Sequence, residues 1–171
     1  MSRSSTSRPR YSAARACPHL GRCTVGDAAR AVADLFCPAD PAGSLAESGV
    51  ELRVHGASCR FPGKRVFGLW DPLLRRVEMF ECHAGRTDRE MVRTLGHELA
   101  HVYGAVCGIA VDEDWAERFA EVWVALLGPI GLRRCAAALR ALAESGRAKV
   151  GAASDRGTRG RTGLNVVSIG L

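Results

Sequence analysis

The chain has 171 residues, 47% of them hydrophobic, with a mean hydropathy of −0.03 and a formal net charge of +6. That length fits one domain with a modest core, and no run of apolar residues looks long enough to cross a bilayer. All the basic residues except Lys64 and Lys149 are arginine, and no aromatic residues interleave with them to stack bases, which argues against a nucleic-acid partner.

The elements follow in chain order. Residues 1–22 read as a flexible basic leader. The segment "MSRSSTSRPRYSAARACP" lacks an apolar core for secretion and is rich in Arg and Ser without acids; a disordered tail is preferred over a transit peptide. "TVGDAARAVADLF", Thr24 to Phe36, reads as a helix capped by Thr24 with Asp27 three residues on, ended before Pro38. "VELRVH", Val50 to His55, alternates apolar and polar and reads as a strand. "RVFGLW" and "RRVEMFEC" read as two more strands joined by "DPLL".

"TDREMVRTLGHELAHVYG", Thr87 to Gly104, begins with capping-box spacing between Thr87 and Glu90. On a 3.6-residue period Met91, Val92, Leu95, Leu99 and Val102 share one face, while His97 and His101 project from the other. Gly104 and Gly108 are expected to break this helix. Asp112 caps the next, "EDWAERFAEVWVALL", with Trp115, Phe119, Val122 and Leu126 on one face. "GPIG" ends it, and "LRRCAAALRALAES" forms a last helix. The domain is thus expected over residues 23–145, with a Gly/Arg-rich tail over 146–171.

Seven cysteines, Cys17, Cys23, Cys37, Cys59, Cys82, Cys107 and Cys135, are odd in number and irregular in spacing. They read as mostly reduced thiols in a cytoplasmic protein. "CPHLGRC", Cys17 to Cys23, with Cys37 matches no zinc ribbon or finger spacing well.

The chemistry concentrates in the pentad His97-Glu98-Leu99-Ala100-His101. Two histidines four apart on a helix can grip one metal ion, with the glutamate placed beside a bound water. A third ligand must come from elsewhere, and there are two candidates. Cys107 completes a pattern similar to that of metzincins, with cysteine for the last histidine, but the Met-turn those proteins carry is missing: Met1, Met79 and Met91 all lie upstream. Glu113 is the other, in an acidic stripe with Glu117 and Glu121 that is equally the pattern of a solvated helix face.

"EDWAERFA", Glu113 to Ala120, resembles the second motif of gluzincins, and in its Phe-Ala ending the small gluzincins of the ImmA/IrrE type; Glu113, Ala116, Glu117, Phe119 and Ala120 match in order. The likeness spans residues 50 to 128 or so. It implies an α+β, zincin-like fold, a small twisted and mostly antiparallel sheet packed on the pentad helix and a second glutamate-bearing helix. It implies Zn2+ as cofactor, with His97, His101 and Glu113 as ligands. Glu98 would be the general base of peptide-bond hydrolysis and Glu117 the acid that orients a liganding histidine. The implied partner is a protein or peptide substrate, with no membrane. A zinc-bearing regulatory protein with little or partner-restricted proteolysis is the alternative. The connection from His101 to Glu113 is shorter than in many relatives, and Glu117 stands where Asp or Asn is commoner. The strand Arg75 to Cys82 is expected to border the cleft and pair with an extended substrate. The residue that would steady a transition-state oxyanion stays open among Tyr103, Tyr11, His83, His55 and His19, or else an arginine. Small peptidases of the SprT type share the pentad but take a later histidine as third ligand, and none follows His101.

Overall fold

The computed structural model describes residues 23–60 and 63–154, with side chains through residue 146. Two helices come first, α1 (Val25–Leu35) and α2 (Pro41–Ala46). Five short strands follow: β1 (Glu51–Val54), β2 (Cys59–Arg60), β3 (Arg65–Val66), β4 (Gly68–Asp71) and β5 (Arg76–Met79). The chain then enters α3 (Asp88–Cys107) and α4 (Glu113–Ser154). The expected leader and residues 155–171 lie outside the described residues.

Local signals place the starts of α1 and α3. Thr24 and Asp27 form a reciprocal capping box on α1, and Thr87 and Glu90 form another on α3, so two orphan N–H groups are satisfied at each end. α3 runs through Gly104 and stops at Gly108, which takes the left-handed conformation (φ 67°) of a C-cap. The expected break after the second helix is a kink at Gly128 (φ 64°, ψ 178°) followed by Pro129, and helix continues beyond it to Ser154. The tail expected from residue 146 is therefore helical in its first turns. Helix α2, with Asp40 as cap and Pro41 at its first turn, has no counterpart among the expected elements.

The main sheet has three strands in the order β1-β5-β4, with β1 parallel to β5 and β4 antiparallel to it; β2 and β3 form a separate antiparallel pair. The sheet is thus mixed, less antiparallel than expected. β5 is its central strand, which corrects the expectation that the Arg75 to Cys82 segment borders a cleft. The hairpin turn after Asp71 folds β5 back between β4 and β1, and Asp71 holds the turn by accepting from the Leu73 and Leu74 N–H groups at 2.9 and 3.0 Å. The strand left at the edge beside α3 is β4.

The core lies between the sheet and the packed pair α3 and α4, closed by α1. Met91, Val92, Leu95, Leu99 and Val102 all face it, as their period dictates. On α4 the buried face is rotated from the expected one. Ala116, Phe119, Ala120, Trp123 and Val124 are buried, Trp115 and Val122 only partly, and Leu126 is exposed. Small residues explain the rotation. A side-chain carbon on Gly96 would stand 2.8 Å from the Trp123 ring and 3.2 Å from the Ala120 backbone, so the two helices touch where neither has bulk. Trp123 fills the resulting corner, edge-on to Phe36 with centroids 5.0 Å apart.

Against the expectation that no apolar run is long enough to cross a bilayer, Glu113–Gly146 of α4 passes that test by length and composition. Its first half is a core helix, packed on α3 and α1 through Phe119 and Trp123.

Candidate metal centre

Three elements converge on one spot. The α3 face opposite the core carries His97 and His101, four residues and about one turn apart. Ile109 N–H bonds back to the Gly104 carbonyl (2.9 Å), turning the chain sharply into α4. Asp112 caps that helix by accepting from Trp115 N–H at 2.7 Å, which sets Glu113 in its first turn, facing the histidines.

The donor atoms fit a metal ion. His97 Nε2 and His101 Nε2 are 3.3 Å apart, and the Glu113 carboxylate lies 3.1 Å from the first and 3.6 Å from the second. Ligands at the usual zinc–nitrogen and zinc–oxygen lengths in a tetrahedron stand about 3.3 Å from one another. Two neutral donors and one carboxylate are also a common set for a catalytic zinc, which keeps a fourth place for water or substrate. Cys107, the rival third ligand, is buried at the end of α3 within the core and takes no part in the cluster. The residues present therefore form a triad geometrically compatible with divalent-metal coordination.

Around the triad the second helix supplies a polar frame. Glu117 Oε1 is 3.4 Å from His97 Nδ1, which sets a carboxylate behind the ring on the side away from Glu113. Arg93 in turn grips Glu117 and Glu121, and Arg89 grips Glu121 as well. The acidic stripe Glu113, Glu117, Glu121 is thus a seam between helices as well as a solvent-facing row. Burial, then the charge of His97, lowers the His101 pKa against the pull of Glu113, which favours a neutral imidazole able to ligate.

Glu98 sits beside the triad and is only 7% exposed. Burial pushes its pKa up to about 7, the Glu113 carboxylate adds to the rise, and a backbone hydrogen bond from Trp70 opposes it. Trp70 belongs to the edge strand. The Phe80 N–H bond to the Phe67 carbonyl (2.9 Å) fixes the alternation of the β4–β5 ladder, so Gly68 and Trp70 turn their backbone groups away from β5. A side-chain carbon on Gly68 would stand 2.6 Å from Glu98 Oε1, so only glycine lets the strand lie this close to the carboxylate.

The other candidates fall away from the cluster. Tyr103 is 4% exposed, stacked near Trp115 and Phe119 with its hydroxyl 3.4 Å from Cys23 Sγ, which makes it a core residue. His55 stacks on Phe80, and His83 Nδ1 accepts from Gly85 N–H. Tyr11 and His19, like Cys17 of the possible second zinc site, lie outside the described residues. Burial raises the Cys82 thiol to about 11 and the Cys135 thiol to about 12, so both stay protonated. The residue the sequence did not single out is Trp70, whose role is a backbone one that no side-chain motif announces.

The whole is an α+β fold whose small mixed sheet packs against helices bearing a His/His/Glu cluster, a zincin-like arrangement. Comparison with family models, curated proteins and solved structures found no match.

Proposed function

We propose that the protein is a zinc-dependent metallopeptidase of the small gluzincin type, similar to the ImmA/IrrE group, acting on a protein or peptide. The observation that carries this reading is the placement of Glu98: a buried carboxylate, held by the edge strand, next to three convergent metal donors. A zinc ion there would acidify water towards neutral pH and polarise a substrate carbonyl. The chain's own part falls to Glu98, which takes a proton at its carboxylate and delivers it to the leaving amine. The Trp70 N–H orients that carboxylate, and Glu117 holds the His97 ring. The outward backbone groups of Gly68 and the Trp70 carbonyl offer an extended peptide an edge to pair with on the side away from β5.

One observation favours a second reading, a zinc-bearing regulatory protein with little or partner-restricted proteolysis. Among the described residues no histidine or tyrosine besides the two ligands joins the cluster, so the oxyanion gains no donor of those two kinds.

Glu98→Gln separates the two. It keeps the size and shape of the side chain and loses its basicity. With zinc bound in both proteins, cleavage of unfolded casein or of the chain's own terminal segments should fall by at least ~100-fold. Equal cleavage by both proteins would remove Glu98 from the chemistry, and no cleavage by either would turn the reading to the regulatory one.

A further inference from the structure

One helical turn before the histidines, a cavity of about 510 Å3 opens on the flank of α3, with four arginines (Arg65, Arg86, Arg89 and Arg93) and two glutamates (Glu81 and Glu90) in its wall beside Phe67 and Thr94. That volume suits a small ligand or a substrate side chain. Its arginines are not equivalent. Arg89 and Arg93 are tied to Glu121 and Glu117, and Arg65 forms a two-pronged pair with Glu81.

Arg86 has no such partner. Its guanidinium is half-buried and donates to the Phe80 carbonyl (3.1 Å), the Glu90 carbonyl (3.1 Å) and Thr94 Oγ1 (2.8 Å), all neutral acceptors. Among the described residues it makes no ion pair. The two acids that follow it are engaged elsewhere: Asp88 pairs with Arg140 at 2.7 Å, and Glu90 turns its carboxylate to the helix cap, accepting from Thr87 N–H at 2.9 Å and Thr87 Oγ1 at 2.7 Å. Arg86 and Arg65 also lie over one ring, 4.5 and 5.1 Å from the Phe67 centroid. Two cations are thus gathered at one aromatic wall, and the more buried one lines the cavity without an ion pair of its own, since the carboxylates that share the cavity, Glu81 and Glu90, are bonded to Arg65 and Thr87. Such a charge is costly to hold and is relieved by an anion.

The cavity adjoins the metal cluster. A side-chain carbon on Gly68 would meet Thr94 Cγ2 at 2.8 Å as well as Glu98 at 2.6 Å, so β4 crosses α3 at both residues, and Phe67 directly precedes Gly68. One helical turn is about 5.4 Å and an extended residue about 3.3 Å, so a peptide along the edge of β4 passes from Glu98 to the cavity within roughly two residues.

We propose that this cavity is a subsite for a carboxylate of the peptide substrate, with Arg86 as its anchor, and that it selects an acidic residue close to the cleaved bond. The selectivity for substrate rests on the peptidase reading; the carboxylate site itself does not.

Peptide binding followed by NMR on the 15N-labelled full chain tests it, zinc-free for the wild type and zinc-loaded for Glu98→Gln. The probes are an end-capped alanine hexapeptide bearing one glutamate, the same peptide with glutamine, and an uncapped all-alanine peptide with a free C-terminal carboxylate. The glutamate peptide should bind about 10-fold more tightly than the glutamine one, the scale of a charge-assisted pair. Its shifts should centre on the Arg86 side-chain N–H and the Phe67 amide, weaken with added salt, and disappear in Arg86→Gln. Tighter binding of the uncapped peptide at the same signals would support the subsite and assign the carboxylate to a chain end. Equal affinity for all three peptides, or shifts centred on His97 and His101, would overturn it, and both outcomes are read on the wild type even if Arg86→Gln does not fold. A glutamate preference that persists in a protein unable to bind zinc would keep the carboxylate site while the peptidase reading falls.

Discussion

The two faces of α3 are built by different physics. One face is entirely apolar, and Met91, Val92, Leu95, Leu99 and Val102 are held by burial, which has no direction and needs no particular partner. The other carries Arg89, Arg93, His97 and His101, each matched to one or two of Glu121, Glu117 and Glu113 on α4. That face depends on register. A shift of α4 by a fraction of a turn would leave the core side filled and the histidines without a third donor. The first face stabilises the domain; the second sets what it can hold.

The contrast is broken most strongly from the apolar side. Leu95 is fully buried, and Leu95→Ala should cost about 2–5 kcal/mol of unfolding free energy in a urea titration. His97→Ala, on the other face, should change the stability of the zinc-free protein by less than ~1 kcal/mol. Comparable losses from the two would mean the faces are not separable.

Gly96 joins the faces, because it fixes how closely α4 approaches. Gly96→Ala puts a methyl group 2.8 Å from the Trp123 ring, and the overpacking should cost about 1–3 kcal/mol. It should also weaken zinc binding, although the residue touches no ligand. Zinc affinity unchanged in Gly96→Ala would show that the triad tolerates helix displacement.

A smaller effect is expected at Glu117, which steers the His97 ring from behind. Glu117→Gln should reduce zinc affinity by about 10–100-fold while the stability of the metal-free protein stays near wild type. Competition against a chromogenic chelator would measure it, and an unchanged affinity would make Glu117 merely a partner for Arg93.

What sequence could reveal divides along the same line. The helix starts at Thr24 and Thr87 and the buried face of α3 are local matters, set by spacing within a few residues, and both appear where expected. The pentad is local too. The sheet order is not: whether β4 or β5 lies at the edge depends on where a hairpin folds back, and the alternating pattern of both strands is silent on it. The buried face of α4 differs from the one its apolar period suggests because alanine and glycine mark close helix contact without contributing a strong hydrophobic signal, which leaves Trp123 no evident neighbours in the sequence. Glu113 stood in a stripe that also reads as a wet surface, and only a family resemblance distinguished it. Arg86 had no pattern at all, since its isolation arises from where Glu90 and Glu81 turn.

The central claim is that α3 and α4 together make one metal site, and zinc content after dialysis tests it most directly. Wild type and Cys107→Ser should each retain about one zinc per chain, while His101→Ala and Glu113→Ala should lose most of it. Loss of zinc in Cys107→Ser with retention in Glu113→Ala would contradict the claim, because the metal would then belong to α3 alone.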